Sequence, residues 1–381
     1  MSQAKVSDAA IAQIAGEIKF DILAGVPEGS NDLKRSQIAR TFISDTITAP
    51  TKEMFTYATM ASLGDDVYHE PSTEQTHIAR ITGKEAALFM VSGTMSNQIG
   101  LRTHLMQPPY TILCDNRAHI FKGAGFHSGA AVTPVAPKNG HHLTLDDVKN
   151  NVVYGPDVHF APTEVIALEN TLNGTIFPQD EIIAISEFAH SKGIKMHLDG
   201  ARIWHVAAET GKSLKELLEP FDSVSVCFSK GLGAPIGSCL VGSKEYITRA
   251  RRIRLLFGGG MRQTGILSGS VAYALTHNFP LLPRVHALSH KLEKSLEDIG
   301  VTILSPAETC MANSGTRAAL PEPLFLGGSR VVLHIQTSES AVDDLISLIA
   351  TIAEEKRKAG FVKPEVQVNG HQDVYVRRVA H

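Results

Sequence analysis

Short apolar runs alternate with segments of helical periodicity along most of the chain. Apolar runs of strand length, bounded by polar residues or glycine, lie at 86–91, 111–115, 164–170, 194–198, 223–228, 301–306 and 329–335. Helical spacing occurs at 73–82, 179–192, 268–276, 282–299 and 340–359, and a further helix is predicted to begin near Thr51. Strands that alternate with helices are typical of a parallel sheet with helical crossovers, so the pattern predicts an α/β fold.

The alternation weakens after residue 264, where a smaller set of strands and helices follows. We therefore predict an N-terminal arm at 1–40 and a large domain with a mostly parallel, doubly wound sheet at 41–264. A helical connection and a small C-terminal α+β domain are predicted at 265–381. Within it, residues 307–326 show no periodicity and are predicted to be irregular.

The stretch 194–238 places an acid and an amine at the ends of two successive strands. Asp199 follows the first apolar run and Lys230 the second, with a segment of helical spacing between them. Such strands are parallel, so both side chains are expected at the carboxyl edge of the sheet, where open α/β proteins bind ligands. A lysine there can bond to the aldehyde of pyridoxal 5′-phosphate (PLP), and an aspartate suits its pyridinium nitrogen. The alternative is an ordinary Asp–Lys ion pair.

Two glycine-containing turns supply candidate phosphate ligands. Ser92, Gly93 and Thr94 stand between a predicted strand and a helix start, where backbone N–H groups and hydroxyls can converge on an anion. Serine and threonine also cap helices for structural reasons alone. Arg262 follows the glycine run 258–260, where backbone can approach a ligand and a guanidinium can bind phosphate.

His119 follows the predicted strand 111–115. Its flat ring can stack on a planar cofactor or take part in proton transfer at this edge of the sheet. It is also one of 17 histidines, and a surface histidine needs no special role.

Composition excludes several classes of function. The 381 residues are 43% hydrophobic and 20% charged with a formal net charge of −3, which disfavours nucleic acid and membrane surfaces as partners. We find no signal-peptide pattern and no apolar run of transmembrane length. The 4 cysteines are widely spaced and fit neither a disulfide framework nor a metal site. We expect a reduced, cytoplasmic protein without a metal.

Eight segments together resemble the threonine aldolase family of fold-type I PLP enzymes. They are SDT at 44–46, GDDVY at 64–68, SGTMSNQ at 92–98, LEN at 168–170, HLDGAR at 197–202, SKGLGAPIGS at 229–238, GGGMRQ at 258–263 and GGSRVVLH at 327–334. HLDGAR and SKGLGAPIGS at their mutual spacing are the most specific. Fungal alanine racemases of nonribosomal-peptide pathways share the scaffold of this family.

The resemblance implies a complete cofactor site. Lys230 would bind PLP covalently, Asp199 would pair with the pyridinium nitrogen, and His119 would stack on the ring. The phosphate would be held by four residues, Ser92, Gly93, Thr94 and an Arg262 lent across a subunit boundary. A homodimer or homotetramer with shared active sites is therefore expected.

The resemblance also implies a small amino-acid substrate whose carboxylate is bound by Ser44, Arg202 and Arg330. Cleavage of L-threonine or L-allo-threonine to glycine and acetaldehyde is the expected activity. Many members carry a histidine shortly after the LEN strand, near the substrate hydroxyl, but this chain has Leu172 and Asn173 there. Because racemisation needs no group for a β-hydroxyl, an amino-acid racemase acting on alanine is the alternative, and a non-catalytic relative is a third possibility.

Overall fold

The computed structural model describes residues 13, 15, 17–19, 29–68, 73–124, 128–155, 158–314, 325–326 and 330–360. Its centre is a seven-stranded sheet. In chain order the strands of this sheet are β2 (Ala86–Met90), β3 (Thr111–Asp115), β4 (Ala131–Val135), β5 (Thr163–Glu169), β6 (Lys195–Gly200), β7 (Ser223–Cys227) and β8 (Ser238–Gly242). A two-residue strand β1 (Thr41–Phe42) precedes them.

The strand order across the sheet is β2-β8-β7-β6-β5-β3-β4. Neighbouring strands from β7 to β4 are parallel, whereas β8 runs antiparallel to both β2 and β7. The sheet is therefore mostly parallel, as predicted. Its parallel strands end at one edge, where open α/β folds bind ligands.

Helices cover both faces of the sheet. The described helices are α1 (Ser30–Ile38), α2 (Lys52–Thr59), α3 (Thr73–Thr82), α4 (Gly93–His104), α5 (Leu145–Asn151), α6 (Gln179–Ser191), α7 (Ile203–Thr210), α8 (Leu214–Leu218), α9 (Lys244–Leu256), α10 (Gly265–Tyr273), α11 (Leu282–Ile299) and α12 (Glu339–Lys358). Alternate residues of one strand enter different cores: Phe89 packs in one, and Leu88 and Met90 in another. A strand buried on both faces reads as a continuous apolar run, which explains why these strands were predictable.

A second, smaller core lies around a three-stranded antiparallel sheet. Its strands are β9 (Ile303–Ser305), β10 (Met311–Ser314) and β12 (Arg330–Val332) in the order β12-β10-β9, while the short β11 (Phe325–Leu326) pairs with β1. Side chains of α11 and α12 pack on it, including Val285, Leu292 and Val342. The segment 307–326 was predicted to be irregular, but it contains β10 and β11, so the prediction is wrong at those residues. Residues 315–324 lie outside the described residues.

The predicted boundaries at 40 and 264 remain a prediction. The end of the predicted arm contacts the smaller core's helix, since Arg40 Nη2 lies 2.9 Å from Asp344 Oδ2. Within the described part of the chain, none of the helices combines the length and apolar character needed to cross a membrane.

Candidate active site

Asp199 and Lys230 lie at the carboxyl edge of the two central parallel strands. Asp199 is the fifth residue of β6 and is 2% exposed, and Lys230 follows the end of β7 and is half-buried. Burial lowers the pKa of His119, and Asp199, Lys230 and Arg202 are all near enough to act on that ring. The fold therefore brings His119, Asp199 and Lys230 together, as the sequence predicted.

Neutral donors hold the Asp199 carboxylate. Asn97 Nδ2 donates to Oδ2 at 2.8 Å, and the backbone N–H of Ala201 donates to Oδ1 at 3.1 Å. Asn97 lies one turn inside α4 and is 1% exposed. The carboxylate is thus fixed in orientation while its charge is not cancelled by either donor.

The predicted phosphate cradle is the N-terminus of α4. Ser92 is the N-cap residue, and its hydroxyl accepts from the N–H of Met95 at 3.1 Å. An added Cβ at Gly93 would lie 2.5 Å from Cys227 Sγ, so only glycine lets the helix start approach the end of β7 this closely. Free backbone N–H groups at a helix start favour an anion. Together with an amine and a buried carboxylate, this donor set fits PLP.

Arg262 lies on the surface of the single chain. Its side chain is 64% exposed, and Nη1 is 3.7 Å from Asp65 Oδ2. That Arg262 binds the cofactor phosphate of a second subunit remains a prediction.

Glu169 is a site residue to which the sequence reasoning gave no role. It ends β5, stands in register with Asp199, and accepts from the backbone N–H of His119 at 2.7 Å. Burial, and next the nearby Asp199, raise the pKa of Glu169 to about 8. A protonated carboxyl at neutral pH therefore stands beside Asp199. The available signal was a polar residue that closes an apolar strand.

Arg202, predicted to bind the substrate carboxylate, binds Asp45 in this structure. Its Nε and Nη2 donate to the two carboxylate oxygens of Asp45 at 2.8 and 2.7 Å, and both residues are buried. Burial alone would raise the pKa of Asp45, but the Arg202 guanidinium lowers it to about 2. The carboxylate-binding fork of Arg202 thus already holds an internal carboxylate.

The other two residues of the predicted clamp lie in different surroundings. Ser44 is half-buried, and its hydroxyl accepts from the N–H and the hydroxyl of Thr46 at 3.2 and 2.9 Å. Arg330 is the half-buried first residue of β12, in register with Asn313. The predicted clamp of Ser44, Arg202 and Arg330 remains a prediction.

The loop after β5 is held by the smaller core. Asn173 has a positive φ of 54°, and its carbonyl accepts from Asn313 Nδ2 at 2.7 Å. The carbonyl of the next residue, Gly174, accepts from the Thr309 hydroxyl at 2.6 Å. Leu172 is 6% exposed and serves packing. Distant parts of the chain therefore set the position at which a substrate hydroxyl group is expected.

One cluster of potential metal ligands adjoins the site. Ligand atoms of Asp45, His205 and Cys310 lie within 4.8 Å of one another. Arg202 already occupies the Asp45 carboxylate, and His205 Nε2 faces Gly231, at which an added Cβ would be only 2.2 Å away. One of the three potential ligands is therefore already bonded to a guanidinium.

Comparison with known proteins extends these observations. The family model described as "Beta-eliminating lyase" matches residues 41–316. A low-specificity L-threonine aldolase of Candida albicans is 44% identical over 339 residues, covering 83% of this chain and 91% of that protein. The alanine racemase TOXG of Cochliobolus carbonum is 34% identical over 337 residues, covering 82% and 87%. A threonine aldolase structure from Leishmania major superposes with a TM-score of 0.71 at 18% identity, covering 82% of this chain and 99% of that one.

Proposed function

The chain belongs to the beta-eliminating lyase family, and from that premise we propose that it is a PLP-dependent L-threonine aldolase. It would cleave L-threonine or L-allo-threonine to glycine and acetaldehyde. The observation that carries this proposal is the 44% identity to the Candida aldolase over most of both chains. Lys230, Asp199 and the helix start at Gly93, which packs closely against the end of β7, lie at one edge of the sheet. This arrangement supports PLP chemistry.

When bound, PLP supplies an electron sink into which a bond at the substrate Cα can break. This chain's residues would bind and orient the cofactor. The Lys230 amine would be the covalent attachment point, the Asp199 carboxylate would offer an acceptor to the ring nitrogen, and the helix start at Gly93 would offer N–H donors to the phosphate. The site residues fit these roles by their chemistry and position.

Aldol cleavage also needs a group that takes the proton of the β-hydroxyl. The lowered pKa of His119 keeps its imidazole neutral near pH 7 and thus able to accept a proton. Glu169 is unsuited to this role at neutral pH because its pKa is raised to about 8 and it already holds a proton. We assign the base to His119 and a hydrogen-bonding role toward the hydroxyl to Asn173.

Alanine racemisation is the second candidate. Leu172 is a buried packing residue and Asn173 cannot act as a base, so the loop after β5 lacks the histidine typical of many aldolases. The relative from Cochliobolus carbonum named as an alanine racemase lends this alternative support.

A proton NMR time course in heavy water, with PLP and a mixture of L-threonine and L-alanine, separates the two activities. We expect glycine and acetaldehyde to appear while alanine keeps its Cα proton. Exchange at the alanine Cα without acetaldehyde, followed by chiral analysis that detects D-alanine, would replace the aldolase by the racemase.

We further propose a cytoplasmic homodimer or homotetramer in which Arg262 completes the partner's phosphate site. Arg262 is 64% exposed, and the end of α9 just before it presents three exposed apolar side chains, Leu255, Leu256 and Phe257, at 59%, 79% and 53%. Such a patch beside a functional arginine suits an interface. Subunits carrying Arg262→Ala and Lys230→Ala, each inactive alone, should regain activity when mixed and reassembled. No recovery in verified hybrids would place Arg262 in its own subunit's site.

A further inference from the structure

A continuous chain of buried hydrogen bonds leads from Asp199 through the protein to a surface pocket. Asn97 bridges Asp199 and His197, since its Oδ1 lies 3.0 Å from His197 Nε2. Ser223 Oγ then lies 2.8 Å from His197 Nδ1 and 2.7 Å from His104 Nε2. His197 and Ser223 are fully buried. His104 lines a surface pocket.

Elementary chemistry fixes the direction of the bonds nearest Asp199. A carboxylate only accepts, so Asn97 must turn its NH₂ group toward Asp199 and its carbonyl oxygen toward His197. His197 must therefore carry a proton on Nε2, because a bare nitrogen facing the Asn97 oxygen would place two acceptors 3.0 Å apart. Burial lowers the pKa of His197 to about 3, so the ring is neutral and its Nδ1 is bare.

The directions of the hydrogen bonds at Ser223 and His104 follow from the protonation of His197. The bare Nδ1 of His197 requires a donor, so the Ser223 hydroxyl donates to it. Its oxygen then accepts from His104, which must carry its proton on Nε2. Burial also lowers the pKa of His104, to about 4, so that its Nδ1 is bare at neutral pH.

We propose that His104, Ser223, His197 and Asn97 form a directional hydrogen-bond chain that ends on Asp199 and holds its carboxylate in position as the acceptor for the ring nitrogen of the cofactor. Every donor in the chain points toward Asp199, and hydrogen bonds aligned in this way polarise one another. These four are positioning residues, because they act on the cofactor through Asp199. The inference rests on the proposed PLP chemistry and extends it beyond the residues that contact the cofactor.

One helix joins the two ends of the chain. α4 carries the proposed phosphate cradle at its N-terminus, Asn97 in its second turn and His104 as its last residue. His104 stacks on Tyr246 with ring centroids 4.5 Å apart, and Asp222, Lys195 and Arg249 are the charged groups that act on it. Packing against Tyr246 therefore holds His104 in place, and its half-buried position makes it suitable for substitution.

The first test needs no cofactor. In protein prepared without PLP and labelled with ¹⁵N in histidine, His104 and His197 should each show a protonated Nε2 and a bare Nδ1 at neutral pH. The His104 signals are identified by their absence in His104→Gln, and those of His197 by proximity to Gly100, where an added Cβ would lie 2.8 Å from the His197 ring. The opposite tautomer at either ring overturns the proposal.

The second test reads the cofactor. Ser223→Ala should weaken PLP binding about five- to tenfold, as expected for loss of one buried hydrogen bond, and should shift the ¹⁵N resonance of the labelled PLP ring toward its unprotonated position. Ser186→Ala is the matched control, because Ser186 is also a buried serine whose hydroxyl donates a hydrogen bond, at 2.6 Å to the carbonyl of Pro220, but it lies in α6 and outside the hydrogen-bond chain. Equal effects of the two variants, or none in Ser223→Ala, would overturn the proposal.

A pair of variants at the half-buried end guards against misfolding of the serine variant. His104→Gln retains an N–H donor toward Ser223 and should keep the ring resonance, whereas His104→Leu should shift it in the same sense as Ser223→Ala. Identical ¹⁵N resonances of the PLP ring in His104→Gln and His104→Leu would contradict the proposed hydrogen-bond chain. A wild-type protein that binds no PLP would instead contradict the proposed function, so the two failures are distinguishable.

Discussion

Asp199 and Asp45 are both buried carboxylates of the candidate site, but different kinds of partner hold them. Asp199 accepts from the Asn97 amide and the backbone N–H of Ala201, which are neutral. Asp45 accepts two bonds from the guanidinium of Arg202. The Asp45 carboxylate is thus bonded to a guanidinium, whereas neither of these hydrogen-bond donors to Asp199 carries a charge.

We call Asn97, Glu169, His197, Asp199 and Lys230 the cofactor side, and Asp45, Arg202 and Asn173 the substrate side. Asp199 and Lys230 both act on the pKa of Glu169, so the cofactor side holds an acid and an amine in one region of the site. On the substrate side, the Asp45–Arg202 pair is already neutral. If Arg202 binds a substrate carboxylate, as the family resemblance implies, that carboxylate must share Arg202 with Asp45 or displace it. The two sides therefore differ in what holds their carboxylates, which is neutral donors for Asp199 and a guanidinium for Asp45.

The largest expected effect breaks the cofactor side. Lys230→Ala removes the amine that attaches PLP, so activity should fall about 10³-fold or more and the bound-cofactor absorbance should disappear after gel filtration. Lys212→Ala, which alters an exposed lysine in the loop between α7 and α8, is the control. Retention of the absorbance band by Lys230→Ala would assign the attachment to another amine.

The next largest effect breaks the substrate side. Asp45→Asn leaves the Arg202 charge buried and unbalanced, which should lower the free energy of unfolding by about 3–5 kcal/mol in urea denaturation. Asp32→Asn removes an exposed partner of Arg35 and should cost at most about 1 kcal/mol.

A double variant sharpens this result. If the cost arises from the unpaired charge, Asp45→Leu combined with Arg202→Met should be more stable than Asp45→Asn, because no charge then remains buried. A double variant less stable than the single one would attribute the loss to packing instead.

Glu169 and Asp45 should contribute to the pH dependence of stability with opposite sign. The pKa of Glu169 is raised from 4.5 to about 8, so the native chain holds a proton that the unfolded chain releases, and the contribution of Glu169 to stability should fall as pH rises from about 4.5 to 8. The pKa of Asp45 is lowered from 3.8 to about 2, so its stabilisation is present above about pH 4 and is lost as pH falls toward 2.

Urea unfolding across this pH range, in protein without PLP, checks both directions. Compared with the wild type, Glu169→Gln should lack the falling contribution between about pH 4.5 and 8 and leave the acid limb unchanged, because glutamine mimics the protonated carboxyl without titrating. An unchanged slope in Glu169→Gln would show that Glu169 is not the group that holds the proton.

The local pattern of apolar and polar residues was sufficient to predict most of the elements that carry the cofactor side. The strand predicted at 111–115 and the helix at 282–299 have the bounds of β3 and α11, and the ends of β6 and β7 place Asp199 and Lys230 as expected. Periodicity did not reveal β8, which pairs antiparallel between β2 and β7 and directly follows the glycine-rich turn after Lys230. Its pairing is fixed by tertiary contacts rather than by its own pattern.

The substrate side could not be derived from local pattern. Asp45 and Arg202 are 157 residues apart, and Asn313 binds Asn173 across 140 residues. A family resemblance named Arg202 as a substrate ligand, but only the folded chain shows that Asp45 occupies its fork. The role of Glu169 depends on burial and on the register with Asp199, which a single strand's sequence does not contain.

The smallest expected effect concerns Asn173, where backbone and side-chain contributions must be separated. Its φ of 54° suits asparagine and glycine but strains alanine by about 1–2 kcal/mol. Asn173→Gly and Asn173→Ala both remove the amide, so each should lower kcat/KM for L-threonine about 3- to 10-fold, the value of one hydrogen bond. Only the alanine variant should also lose stability. If activity falls in the alanine variant alone, the contribution of Asn173 is conformational, and the group that recognises the hydroxyl must be sought elsewhere on the substrate side.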